Sequence, residues 1–110
     1  MLFIKGSEVM PPKVKIPQNK ILDAAFEITR SEGFSAVNAR SIAAYLHCST
    51  QPIYRVYQNM GELKRELYEK AKSYFATQMY QPIKDMPIFL SMGLRYVMLA
   101  KEEPNLFQFL

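Results

Sequence analysis

The sequence has no tryptophan, one cysteine, one histidine and only four glycines in 110 residues. A single cysteine, Cys48, cannot close an internal disulfide, and with one histidine beside it there is no set of soft ligands at zinc spacing. A disulfide scaffold and a zinc module are both excluded, and a reducing cytoplasm suits such a chain. Long hydrophobic runs are missing too: the longest greasy stretch, 86–100, contains Pro87 and Arg95 and falls short of a membrane span. The opening MLFIKGSEVMPP holds too short an apolar run, and no small-residue cleavage site, for a signal peptide. Alternating strand patterns are absent as well, which makes the expected fold all-α. His47 and Cys48 are neighbours in a turn without a third group to orient them, so they are not read as base and nucleophile. No metal, cofactor or catalytic residue is expected, and the chain is not read as an enzyme.

What is present describes a globular protein. Apolar residues make up 49% and charged residues 22% of the chain, enough to close one core while keeping a solvated surface. The net charge of +4 is unevenly placed, with eleven Lys or Arg against seven Asp or Glu in residues 1–72 and three of each in residues 73–110. Excess cation on one part of a molecule suits a polyanion partner, because neutralising phosphates releases condensed counterions.

Residues 1–16, with Gly6, Pro11 and Pro12, show no sustained period and read as an irregular arm. From Gln18 to Glu32, Ile21, Leu22, Ala25, Phe26 and Ile28 recur at helical spacing between Pro17 and Gly33. Asn38 is a cap for a short second helix, Ala39 to Leu46, and Ser49 is the expected cap for a third, Thr50 to Tyr57. In that register Pro52 takes the third helical position, where no intrahelical bond is lost. A turn over 58–61 precedes a longer fourth helix that ends near Tyr80. Asp85 is the expected cap of a fifth helix reaching about Lys101, and Pro104 restarts a last short helix through Leu110. The terminal LFQFL is apolar enough to need further protein over it, so the chain is expected to be a fragment of a longer one.

The second and third helices, with their tight connection, form a helix-turn-helix pattern. Ile42, Ala43, Leu46, Cys48, Ile53 and Val56 are placed to meet inside the angle. Thr50, Gln51, Tyr54 and Arg55 remain on the outer face of the third helix, where Gln can pair with adenine, Thr can touch a base edge and Arg can serve guanine or phosphate.

The run ILDAAFEITRSEGFSAVNARSIAAYLHCSTQPIYRVYQNMGEL resembles the N-terminal domain of TetR/AcrR-type transcriptional regulators, over about residues 18–70. The resemblance implies a three-helix bundle with a helix-turn-helix over 17–62. Residues 63–110 then form a connecting helix and the start of a helical effector domain. It implies phosphate contacts from Asn38, Arg40 and Tyr54, and base-edge positions for Thr50, Gln51 and Arg55. The whole candidate DNA-binding set is Lys15, Lys20, Asn38, Arg40, Ser49, Thr50, Gln51, Pro52, Tyr54, Arg55, Tyr57 and Lys64. It further implies a double-stranded operator as partner, a small-molecule effector that releases a repressor, and a homodimer when full length. Tyr74, Phe75, Met79, Met92, Tyr96 and Met98 are the candidate border of the effector site. The sequence departs from the family at His47, where a glycine is usual, and at Met60, where many relatives carry a phosphate-binding Lys. The rival reading is a helical protein-interaction module whose C-terminal aromatics dock another chain.

Overall fold

The computed structural model describes residues 15–110, so the expected arm lies outside the described residues except for Lys15 and Ile16. Among the described residues the protein is all-helical, with no strand. The order is α1 (Gln18–Glu32), a 3-10 turn (Phe34–Ala36), α2 (Ala39–Leu46), α3 (Gln51–Val56), α4 (Met60–Met79), α5 (Ile88–Glu102) and α6 (Pro104–Phe109). No described helix is long and apolar enough to cross a membrane.

Helix α1 is the central element. It buries Ile21, Ala24, Ala25, Phe26 and Ile28, together with Thr29, whose hydroxyl donates to the Ala25 carbonyl at 2.8 Å. It stops at Gly33, where φ is +96°, a region that side-chain-bearing residues avoid, and the Gly33 N–H donates back to Thr29 O at 2.9 Å. Around α1 the core continues through Ala39, Ile42 and Ala43 of α2, Ile53 of α3 and Tyr57 at its end, Leu63, Leu67 and Ala71 of α4, and Leu106 of α6. Ile16, from the expected arm, also packs against this core.

Helix α2 opens with a reciprocal cap: the Ser41 N–H donates to Asn38 Oδ1 at 2.8 Å and the Asn38 N–H donates to Ser41 Oγ at 3.0 Å. Such a cap stabilises a helix by about 1 kcal/mol. Helix α3 departs from expectation by one residue. Thr50, not Ser49, stands at the N-cap, no side chain closes the helix start, and Pro52 falls in the first two helical positions rather than the third. The proline still removes no intrahelical bond there. Helix α4 begins earlier than expected, at Met60, because Asn59 caps it by accepting from the Glu62 N–H at 3.0 Å, and Gly61 is absorbed into the first turn.

Asp85 does not cap α5. It adopts a left-handed φ of 61°, and the helix starts at Ile88 behind Pro87. The connection is held instead by the Gln81 carbonyl, which accepts from Ser91 Oγ and from Arg95 Nε, each at 3.2 Å.

The terminal apolar segment, expected to require further protein, is covered in part by this chain's own first helix. Leu106 is buried, Phe109 stacks on Phe34 with centroids 4.9 Å apart, and the Asn105 amide donates to the Arg30 carbonyl at 2.9 Å. The Arg30 guanidinium bonds the Glu103 carboxylate, with Nε at 3.1 Å from Oε2. That hydrogen bond raises the arginine pKa further above its ordinary value.

Candidate nucleic-acid interface

The geometry begins where α2 ends. His47 adopts φ 58° and ψ 47°; its N–H donates to Ala44 O at 3.3 Å, and the Cys48 N–H donates to Ala43 O at 2.9 Å. This pair of bonds satisfies two orphan carbonyls while turning the chain back toward α3. A left-handed residue with a Cβ costs about 1–2 kcal/mol, and His is among the more tolerant side chains there. The turn therefore closes without the glycine that the resemblance leads one to expect.

Inside the angle Ile42 and Ile53 are fully buried, and Leu46, Cys48 and Val56 are half-buried around the small Ala43. Packing those positions inward leaves a fixed set outward: Ser49, Gln51, Tyr54 and Arg55 are exposed and Thr50 is half-buried, with Tyr54 at 53% exposure. Tyr54 is a large aromatic on a six-residue helix, and about half of its surface is left uncovered by the described residues.

Two members of the candidate set do not belong to that surface. Pro52 is buried, and Tyr57 is 1% exposed. The Tyr57 hydroxyl donates to Glu66 Oε1 at 2.6 Å, an oxygen that also accepts from Gln18 Nε2 at 2.7 Å. Burial, reinforced by the bond to the Glu66 carboxylate, pushes the Tyr57 phenol up to about 12. Tyr57 thus ties the end of α3 to α4 and to the start of α1, and neither it nor Pro52 can reach a groove. Tyr57 lies four residues after Ile53, on the same helical face, and this spacing was the available signal for its inward direction.

The cations divide into two groups. Arg30 and Lys70 are tied to carboxylates across helices, Lys70 to Asp23 at 3.0 Å, and Lys72 pairs with Glu69 within α4. Lys15, Lys20 and Arg40 are exposed and have no carboxylate partner among the described residues. Lys15 and Arg55 flank a slot of about 370 Å³ walled by Ile16, Pro17, Pro52 and Val56, which sets the chain entering α1 against α3. Lys20 borders the end of α2 beside Tyr45, an aromatic 51% exposed that the sequence reading passed over. Tyr45 falls outside the Ile42 and Leu46 stripe, and that position was the signal for it.

Asn38 is exposed, but its Oδ1 is engaged as the α2 cap. Lys64 lies over the Phe34 ring, Nζ 5.0 Å from the centroid, in a recess shared with Gln108 and Phe109 of the α6 region, not with α3.

The candidate effector residues separate as well. Phe75 and Tyr96 stack at 6.4 Å and both meet Phe107 edge-on, while Met79, Met92 and Tyr96 line an open apolar groove of about 290 Å³. Tyr74 is turned away from this group, edge-on to Phe26 at 5.4 Å and under the Arg30 guanidinium, and Met98 does not line the groove. Among the described residues no group of three His, Cys, Asp or Glu side chains is placed to hold a metal ion. No family model matches the chain, and no curated protein does.

Proposed function

We propose that this chain is a double-stranded-DNA reader, in which α2 and α3 act as a helix-turn-helix and the Thr50, Gln51, Tyr54 and Arg55 side of α3 enters the major groove. The observation that carries the reading is the left-handed turn at His47, which buries Ile42 and Ile53 against each other's helices and leaves the polar and aromatic side of α3 outward. Exposed Lys15 beside α3, Lys20 beside the end of α2 and Arg40 on α2 suit phosphate rails. Tyr45 joins the candidate set, and Pro52 and Tyr57 leave it.

The reading extends, by the TetR/AcrR resemblance, to a cytoplasmic transcriptional regulator that binds an operator and, as part of a longer homodimeric chain, releases it on taking up a small effector. The chain on its own grips one half-site weakly. Fluorescence anisotropy with labelled duplex over a salt series tests this. With three or four phosphate contacts, log K falls with log salt at a slope of roughly −3 to −4. Absence of duplex binding at low salt, or binding indifferent to salt, sinks the reading. Selection from randomised duplexes then asks whether Thr50, Gln51 and Arg55 read sequence.

A second reading, a helical protein-interaction module, is favoured by one observation: the apolar outer face of α5, where Phe89 is 87% exposed.

A further inference from the structure

The end of α1, the 3-10 turn, α4 and α6 leave a recess of about 510 Å³ between them, within the range of small-molecule sites. Its walls are held by this chain's own contacts. Phe109 stacks on Phe34, Tyr68 meets Phe109 edge-on at 5.8 Å, and the Asn105 amide is tied to the Arg30 carbonyl. Gly33, which ends α1, adds backbone and no side chain to the lining. None of the six effector candidates lines this recess, which lies on the other side of α6's attachment to α1 from no part of their groove.

We propose that this recess binds a small aromatic monocarboxylate, with its ring against the Phe34, Tyr68 and Phe109 wall and its carboxylate on the Lys64 ammonium. Two observations choose that class. The first is charge: the lining holds one cation, Lys64, and one anion, Glu32. Lys64 has no carboxylate partner among the described residues, and its Nζ stands 5.0 Å from the Phe34 centroid, at the aromatic wall. A carboxylate entering there gains a charge-assisted hydrogen bond. A second negative charge would meet Glu32 in the same recess, which favours a monoanion over a phosphate.

The second is what the side chains leave over. The hydroxyls of Ser35 and Tyr68 and the Gln108 amide make no hydrogen bond to another described residue. They supply the few polar groups, set around an apolar wall, by which a small-molecule site fixes orientation. Aromatic rings from the turn, α4 and α6 offer faces and edges to a planar ligand, so a saturated acid of the same charge gains less. A bound ligand touches the end of α1, α4 and α6 together and adds to the contacts that hold α6 in place. This site does not rest on the DNA reading, and the two can fail separately.

The probe is 2-naphthoate, whose own fluorescence anisotropy reads binding directly because the chain has no tryptophan to overlap it. The expected result is saturable binding to one site, weakened roughly tenfold or more by Lys64→Met on α4 and by Gln108→Glu on α6. Both residues are exposed, so far-UV circular dichroism should stay that of the parent, and Lys101→Met, outside the recess, should bind as the parent does. Naphthylmethylamine, with the same ring and the opposite charge, and cyclohexanecarboxylate, with the same charge and no aromatic ring, should each displace the probe far less well than unlabelled benzoate analogues of similar size. Saturating 2-naphthoate should also slow amide exchange over 104–109. No saturable binding up to millimolar probe overturns the proposal. Binding indifferent to both Lys64→Met and Gln108→Glu, or without effect on exchange over 104–109, overturns the placement in this recess, and an amine that competes as well as the acid overturns the ligand class.

Discussion

Tyr57 Oη lies 2.6 Å from Glu66 Oε1, so the residue that closes the short helix α3 is bonded to a carboxylate nine positions along the chain on α4. Gln18 donates to the same oxygen from the first turn of α1, and three helices therefore meet at one acceptor. The direction of α3, and of anything it presents, is set by this junction as much as by the turn at His47.

Removing the hydroxyl with Tyr57→Phe is expected to lower stability by about 1–2 kcal/mol, since a bond to a carboxylate is stronger than a neutral one. The phenol sits near 10 in the unfolded chain and is pushed up to about 12 in the folded one. The folded state thus holds the proton longer, and stability contributed by the neutral phenol is complete below pH 10 and declines as pH rises from about 10 to 12. Urea titrations across that window should show the decline in the parent and less of it in Tyr57→Phe. Equal slopes in both count against the assignment.

His47→Gly should raise the melting temperature. The left-handed φ of 58° is strained for a residue with a Cβ, and relieving it exceeds the extra freedom glycine gives the unfolded chain. A gain of about 0.5–1 kcal/mol is expected, a few degrees by thermal melting for a domain of this size. A fall in melting temperature would mean that the imidazole itself contributes contacts.

Tyr54→Ala and Gln51→Ala should weaken duplex binding by about 1–3 kcal/mol each while far-UV signal and melting stay close to the parent, because both side chains are exposed. Arg40→Ala should lessen the salt slope by about one unit if its guanidinium meets a phosphate. Parent-like affinity in the Tyr54 and Gln51 variants would mean that this side of α3 is not the one that enters a groove.

Ile53→Asp should abolish cooperative unfolding or cost at least about 4 kcal/mol, since Ile53 is fully buried between α2 and α3 and a carboxylate there has no partner. Circular dichroism melts decide it, and a variant that melts like the parent contradicts the packing.

Glu103→Gln should loosen α6 without unfolding the chain. It leaves Arg30 with a weaker, neutral acceptor, and a cost of about 1–2 kcal/mol is expected for a partly buried charge-assisted pair. Amide exchange should quicken over 104–109 before it does over α1.

The order and most boundaries of the helices were legible because local chemistry marks them: Pro17 and Gly33 bracket α1, Asn38 caps α2, and Pro104 opens α6. The inward set Ile42, Ala43 and Ile53 was legible from spacing alone. Less could be read in α3, since six residues are too few for a period to settle, and Ser49 and Thr50 are adjacent residues that both serve as caps. Tyr57 misled because a tyrosine suits a phosphate or a core equally well until its neighbours are known. Asp85 misled because a capping residue is also one of the few that tolerate a left-handed turn. The docking of LFQFL was out of reach of local pattern: Phe34 and Phe109 meet across seventy-five positions, and nothing near either residue announces the other.

Leu106 belongs to the same apolar cluster as Ile53 and Tyr57. The two ends of the described polypeptide are therefore soldered to a shared interior, and α2 with α3 is no detachable cartridge. Cutting the chain after Met79 would strip one wall from α1, leave the Arg30 guanidinium with only Glu27 of its own helix as carboxylate partner and uncover the face of Phe34 on which Phe109 stacks, so a shortened version should melt earlier and clump more readily than the intact molecule.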